Sequence, residues 1–144
     1  MDPWRNNACT AVRDRAIQIA KKQSVAEVEP IHFLLSILQS HDNGATHVIE
    51  CLGADQKWME EYLFRFFENW TQGDNYSDPQ MSDESIQMIN DAVEIARKLR
   101  RREMCTEDIL YALTLNLPEE LPAIFLNNKG ITSKKVLSCM THHF

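Results

Sequence analysis

Residues 16–38, AIQIAKKQSVAEVEPIHFLLSIL, return without a gap 76 positions later as residues 92–114, AVEIARKLRRREMCTEDILYALT. Ala16/Ala92, Ile19/Ile95, Ala20/Ala96, Lys22/Lys98 and Leu34/Leu110 are identical between the copies, and Ile17/Val93, Lys21/Arg97, Val28/Met104, Phe33/Ile109 and Ile37/Leu113 are like for like. The register extends upstream to Asn6 and Ser82, both good residues for starting a helix. Downstream it reaches Gly53 and Gly130, with one extra residue in the second copy. A repeat of this length dictates the architecture, because one unit used twice has to bury the same face twice.

The apolar residues inside the repeat recur at helical spacing. On the first helix, expected over 7–23, Val12, Ala16, Ile19 and Ala20 make the inward stripe, and the two alanines allow a close helix crossing. Pro30 suits the first turn of the next helix, where its missing N–H has no partner anyway. A short third helix over 45–52 closes on Gly53 in the left-handed conformation, and Asp55 caps a fourth that runs to about Trp70. Ser82, with Met81 and Ile86 as a hydrophobic staple, opens a fifth helix ending near Arg101. Thr106 with Glu107 and Asp108 starts the sixth. Pro118 begins the seventh, Gly130 closes it, and Thr132 or Ser133 starts the eighth. No strand-period segment of useful length is present. The expectation is an all-α fold of about eight helices, a pseudo-twofold tandem duplication of a four-helix unit. It forms one domain over 1–144, with copy one at about 4–70, a turn-rich linker at 71–81 and copy two at about 82–142.

The fourth helix carries Trp58, Tyr62, Phe64, Phe66, Phe67 and Trp70, half of the twelve aromatics in the chain. Its apolar face spans about half the circumference, wider than a helix on one core needs. Two accounts are open: the helix is wedged between the two lobes, or part of this face binds a partner.

The net charge of −6 argues against nucleic acid or an anionic membrane as the main partner. The basic run 97–102 falls at a helix end, where cations complement the helix dipole. The four cysteines form no CxxC and are expected as reduced, partly buried thiols. No secretory leader and no long apolar span is visible, which reads as a cytoplasmic protein. The four glycines form neither GxxxxGK[ST] nor GxGxxG. No HExxH and no nucleophile elbow is present, and no set of residues supplies nucleophile, base and oxyanion donor together. The expectation is a binding module with no enzyme activity of its own, no cofactor and no metal. The Cys139, His142 and His143 cluster is not a closed metal site, and His32 reads as a hydrogen-bonded structural histidine. The Glu60–Glu61 and Glu119–Glu120 pairs read as solvated faces.

The A-x-x-I-A pattern at 16–20 and 92–96 repeats a family signature, as do V-E-P-I-H-F-L-L at 28–35 and M-C-T-E-D-I-L-Y at 104–111. With the I-x-x-x-G and L-x-x-x-G closings at 49–53 and 126–130, the chain resembles the Clp amino-terminal (Clp repeat) domain of the AAA+ unfoldases. The resemblance covers about residues 4–140. It implies a mobile module on a hexameric ATP-driven unfoldase, binding a protein or peptide substrate or an adaptor, with AAA+ modules in cis or a Clp complex in trans. The alternative it allows is a stand-alone accessory protein that docks onto a Clp complex and regulates it. The processes implied are protein quality control, proteolysis or disassembly of type VI secretion sheaths. In the branch of the family that docks phosphorylated arginine, an acidic residue in each copy receives the guanidinium. Here those positions are Ile31 and Glu107, so at most the Glu107 side is expected to be competent. The family's histidine is His32 in copy one and Asp108 in copy two.

Two apolar seams run along the first and fifth helices. Ile86 and Val93 lie well off the inward arc of the fifth, Ile89 lies at its border, and Ile17 repeats the Val93 position on the first. With Trp4 and Met81 at their ends and Arg13 and Glu107 as rim contacts, these residues are the candidate lining of a peptide or adaptor groove. The other account of the seams is that a second helix covers them. The isolated chain is expected to be monomeric. Because no phosphate cradle exists, calorimetry on the purified chain should show no micromolar ATP binding, and no hydrolysis should accompany it.

Overall fold

The computed structural model describes residues 1–68, 78–115 and 121–143, with the backbone alone described at 121, 142 and 143. Among the described residues there are eight helices, α1 (Asn7–Gln23), α2 (Pro30–Ser40), α3 (Gly44–Cys51), α4 (Gln56–Glu68), α5 (Asp83–Lys98), α6 (Thr106–Leu115), α7 (Leu121–Asn128) and α8 (Ser133–His143). Trp70, linker residues 71–77, Pro118 and the Glu119–Glu120 pair lie outside the described residues, as do the side chains of His142 and His143.

The helix ends repeat as the sequence does. The Asn6 side chain accepts from the N–H groups of Ala8 and Cys9 at 2.9 and 3.2 Å, and the Ser82 hydroxyl accepts from Ser85 at 3.0 Å. Each cap satisfies donors that the first turn of a helix leaves without partners. Ser24 at the end of α1 has φ 58°, and Arg100, 76 residues on, has φ 59°. Each of these left-handed residues lets the next N–H reach back, Val25 to the Ala20 carbonyl at 3.3 Å and Arg101 to that of Ala96 at 2.9 Å. Gly53 and Gly130, at φ 81° and 79°, close α3 and α7 in the same way. There Ala54 donates to Ile49 and Ile131 to Leu126 at 3.2 and 2.9 Å.

The centre of the molecule is α2 and α6. Every residue of α2 from Pro30 to Leu38 is buried, as are all but two residues of α6. Helix α1 lies on α2 and α5 on α6, and at those crossings Ala16, Ala20, Ala92 and Ala96 are fully buried. Helix α3 of the first half packs on α6 of the second, and α7 of the second packs on α2 of the first, so each half covers the other's central helix.

Two hydrogen bonds related by the repeat tie the halves together. The Cys9 thiol donates to the Met104 carbonyl at 3.3 Å, and the Ser85 hydroxyl donates to the Val28 carbonyl at 2.7 Å. Adding 76 to 9 and to 28 gives 85 and 104. One tie has no twin. The Ala45 N–H donates to the Thr106 hydroxyl at 3.0 Å, whereas the equivalent positions hold Pro122, without an N–H, and Pro30, without a hydroxyl.

The fold is all-α, with one short ladder among the described residues that is too brief for period-2 alternation to reveal. Strands β1 (Glu27–Val28) and β2 (Gln80–Met81) pair in parallel, Glu27 with Gln80 and Val28 with Met81. The last residues of the expected linker are therefore part of the folded body. Both accounts of helix α4 hold in part. Only Met59, Leu63 and Phe67 of its apolar face are buried, while Trp58, Tyr62, Phe64 and Phe66 are exposed. It packs on α2 and α3 of the first half, and its Tyr62 reaches Phe125 of α7 in the second.

His32, at the start of α2, is fully buried. Its Nδ1 accepts the Glu29 N–H at 2.8 Å, so its Nε2 carries the proton and donates to Gln23 Oε1 at 2.5 Å. Phe67 stacks on the ring at 5.3 Å between centroids.

Ala92→Leu should overpack the α5–α6 crossing and cost about 1–3 kcal/mol in a urea melt. An unchanged midpoint would remove the crossing role. Burial holds the His32 pKa down from 6.5 to about 4. Below pH 6.5 the unfolded chain takes up a proton that the folded chain refuses, so stability is lost as pH falls through that window. Between pH 7 and pH 5 the wild type should lose about 2 kcal/mol more than His32→Gln, measured by denaturant titration at both pH values.

Candidate functional site

The seam residues sit on two helices whose ends are tied at both extremities. Asn6 and Cys9, at the start of α1, bond to Glu103 and to the Met104 carbonyl beyond the end of α5. Ser82 and Ser85, at the start of α5, both bond to the Val28 carbonyl just beyond the end of α1. The two helices therefore run antiparallel on either side of the pseudo-twofold axis. Trp4 is half-buried, and the Arg13 guanidinium lies 5.0 Å from its ring centroid. Ile17 and Val93, repeat equivalents, are each half-buried, as is Met81 on β2. Ile86 is 48% exposed, whereas Ile89 is buried and belongs to the core.

Glu107 is not a rim contact. It is buried beside Asp108 in the first turn of α6. The Arg101 guanidinium, at the end of the basic run, lies 2.7 Å from Asp108 Oδ1 and 3.6 Å from Glu107 Oε1. The Glu107 carboxylate also abuts the first residue of α3, where a Cβ on Gly44 would collide with Oε2. A carboxylate placed there meets the positive end of the α3 dipole. The place where an incoming guanidinium was expected is thus held by an arginine of the same chain.

Asp108 accepts the Cys105 N–H at 2.8 Å. It does for α6 what the His32 ring does for α2, since 29 and 32 become 105 and 108 on adding 76. Burial, reinforced by the Glu107 charge, pushes its carboxyl up to about 6, against the pull of the Cys105 N–H and of Arg101. Burial and the same two acids push the Cys105 thiol up to about 11. Donor atoms of Cys105, Glu107 and Asp108 lie within 4.8 Å of one another, but Arg101 already supplies the positive charge at this cluster.

A second surface was legible only in part. Exposed Trp58 and Tyr62 of α4 stack at 5.2 Å between centroids, and Tyr62 stacks on Phe125 of α7 at 5.5 Å. Lys129 Nζ lies 3.7 Å above the Trp58 ring. A cleft of about 150 Å³ opens beside the stack, lined by Ile31, Tyr62, Leu63, Phe66, Ile124, Phe125 and Asn128. Ile31 thus faces an apolar cleft at the position where Glu107 faces Arg101. A larger cleft of about 300 Å³ lies where α1, α2 and α4 meet, among Ile19, Leu35, Phe64 and Phe67, with Lys22 and Glu68 also in its lining. The width of the apolar face of α4 signalled these aromatics, but nothing local signalled that α7 would supply their partners.

Arg101→Met should leave two buried acids without their counter-charge and cost about 3–5 kcal/mol in a urea melt, with much of the loss recovered by adding Asp108→Asn. A guanidinium-phosphate ligand should show no binding to the unaltered chain by calorimetry. Tight binding sensitive to Glu107→Ala would reverse that reading.

Residues 8–120 match the model of the Clp repeat (R) N-terminal domain. The chaperone protein ClpB of Mycobacterium leprae is 28% identical over 101 residues, covering 69% of this chain and 12% of the relative. ClpB of Mycobacterium tuberculosis H37Rv is 27% identical over 99 residues, covering 68% and 12%. The chain therefore spans about an eighth of the length of these curated relatives. Among solved structures, the Hsp104 N-terminal domain of Candida albicans superposes with a TM-score of 0.76 at 15% identity, over 92% of this chain and 86% of that one. The N-terminal domain of the ClpV1 ATPase from the Escherichia coli EAEC Sci1 type VI secretion system gives 0.78 at 19% identity, over 93% and 82%. A ClpV N-domain in complex with a VipB peptide gives 0.70 at 15% identity, over 99% and 94%. At such identities the likeness is one of fold. The family match, the duplicated caps and the swapped covering helices agree: this chain belongs to the Clp repeat N-terminal domain family.

Proposed function

We propose that the chain is the substrate- or adaptor-binding module of an ATP-driven Clp-type unfoldase, and that its peptide site is the seam between α1 and α5. The observation that carries this reading is the pair Ile17 and Val93, repeat-equivalent apolar residues both left half-buried in a domain of this family. Ile86, Met81 and the Trp4–Arg13 pair extend the apolar strip toward both ends. The ClpV N-domain solved with a VipB peptide supports peptide capture as the task. Two apolar rows flanking an axis suit a short amphipathic or extended segment, which presents its own alternate side chains to each row. The motor that such a module serves is supplied in cis or in trans, since no phosphate-binding loop is present in this sequence. Glu107 has no part in the site. Residues 1–144 act as one monomeric unit, with copies over about 4–70 and 82–142.

The test is an array of overlapping peptides from a permanently unfolded protein, probed with the wild type, Val93→Lys and Tyr62→Ala. The wild type and Tyr62→Ala should capture the same peptides. Val93→Lys should lose them at least tenfold while its melting temperature stays within a few degrees, because Val93 lies at the edge of the core, where the lysine stem can lie along apolar surface and its ammonium reach solvent. A collapsed melt would make Val93 core, and unchanged capture would move the site off the seam. Among the described residues, no helix is long and apolar enough to cross a membrane.

A further inference from the structure

The seam carries cations at both ends in a chain whose net charge is −6. Lys21 stands four residues after Ile17 on α1, and Arg97 four residues after Val93 on α5, so each cation shares the face of its apolar neighbour one turn on. Lys21 and Arg97 are also repeat equivalents, 21 becoming 97 on adding 76. Because α1 and α5 run antiparallel, the two fall toward opposite ends of the apolar strip. Lys21 is half-buried and Arg97 is exposed. Long basic side chains so placed lay their stems along apolar surface and turn their charges to solvent.

The acids of the neighbouring turns are already engaged. Asp14 meets Arg13 at 3.1 Å, Asp2 accepts the Trp4 N–H at 2.9 Å, and Glu103 accepts from the Asn6 amide at 3.0 Å. Asp83 and Glu84 open α5, where acids complement the helix dipole. Glu94, next to Val93, lies about 100° round the helix from it. Among the described residues, Lys21 and Arg97 form no ion pair. Cations in a last turn also complement the dipole, but that role does not require them on the seam. Lys22 and Lys98 fill it from the same turns while lying about 100° further round.

We propose, on the reading of the seam given above, that its preferred occupant is a short peptide segment whose apolar residues are flanked on both sides by carboxylates. The apolar residues lie against Ile17 and Val93, one flank meets Lys21, and the other meets Arg97. Cations related by the pseudo-twofold axis favour acids at both ends of the occupant, whichever way its chain runs. Exposed ion pairs contribute little each and weaken with salt. The apolar rows therefore supply most of the affinity, and the cations choose among apolar segments. A polyanion such as a nucleic acid would use the cations and leave both apolar rows without a partner.

The test uses three fluorescein-labelled peptides that share the core Leu-Ala-Leu-Leu-Ala-Leu and carry two Glu, two Gln or two Lys at each end. Each is titrated with the full chain by fluorescence anisotropy. At low salt the Glu peptide should bind about three- to tenfold tighter than the Gln peptide, with the Lys peptide weakest. The differences should close at about 0.5 M salt. Lys21→Gln/Arg97→Gln should hold all three within about twofold of one another, and Lys21→Glu/Arg97→Glu should prefer the Lys peptide. Val93→Gln, which alters no charge, should weaken all three and keep their order. Peptides bound equally by the wild type yet lost on Val93→Gln would overturn the acidic preference and leave the seam standing. Binding that is absent, or indifferent to Val93→Gln, would remove the seam and this inference with it. A Glu preference that survives both double variants would overturn the assignment to Lys21 and Arg97. So would a single-stranded oligonucleotide of equal charge that competes as well as the Glu peptide.

Discussion

The structure depends on starting two helices in a place without water. Helices α2 and α6 begin inside the protein, so the donors of their opening turns have to be met by side chains rather than solvent. Both copies use the third residue of the helix to accept the N–H of the residue that precedes it. The chemistry differs: a neutral imidazole at His32 and a carboxylate at Asp108. That choice propagates. The imidazole needs only an uncharged acceptor for its other nitrogen, and Gln23 supplies it. The carboxylate brings a charge, shares its turn with Glu107, and calls for a cation, which Arg101 provides from the loop between α5 and α6. Gly44 fits the same choice, because the Glu107 carboxylate occupies the space that a side chain on the first residue of α3 would take.

Much of this architecture is written locally in the chain. Asn6, Ser82, Gly53 and Gly130 act where they stand, since a cap or a left-handed closure involves residues within one turn of each other. The period of the apolar positions placed Ala16 and Ala92 at helix crossings for the same reason. What escaped local reading depends on residues far apart in sequence. Glu107 has the composition of a solvated first-turn acid, and only the approach of α3 and Arg101 buries it. The aromatics of α4 gave a wide apolar arc, but the arc could not say whether a neighbouring lobe or solvent would face it. The two-residue ladder is shorter than any periodicity can reveal.

The halves have also drifted apart in ways the pairing of positions makes readable. Where Ala45 and Thr106 exchange a hydrogen bond, the mirrored contact falls to Pro122 and Pro30, which have lost donor and acceptor together. Losing only one of them would leave a buried polar group without a partner, at a cost of about 1–3 kcal/mol, whereas losing both costs little. Ile31 against Glu107 shows the same logic. One half keeps a charged arrangement complete with its counter-ion, and the other has replaced it by an apolar surface bordering the Tyr62–Phe125 stack.

The reciprocal ties from Cys9 to Met104 and from Ser85 to Val28 bear on how such a chain comes to be folded at all. Each half borrows from the other both a covering helix and a carbonyl partner, so the first cannot complete its own centre until the second has been synthesised. The first copy must leave the ribosome with α6 still missing from its side and wait until the second has emerged. The two halves are thereby joined in folding through their centres, while their surfaces, one bordered by Ile31 and the other by Glu107, differ.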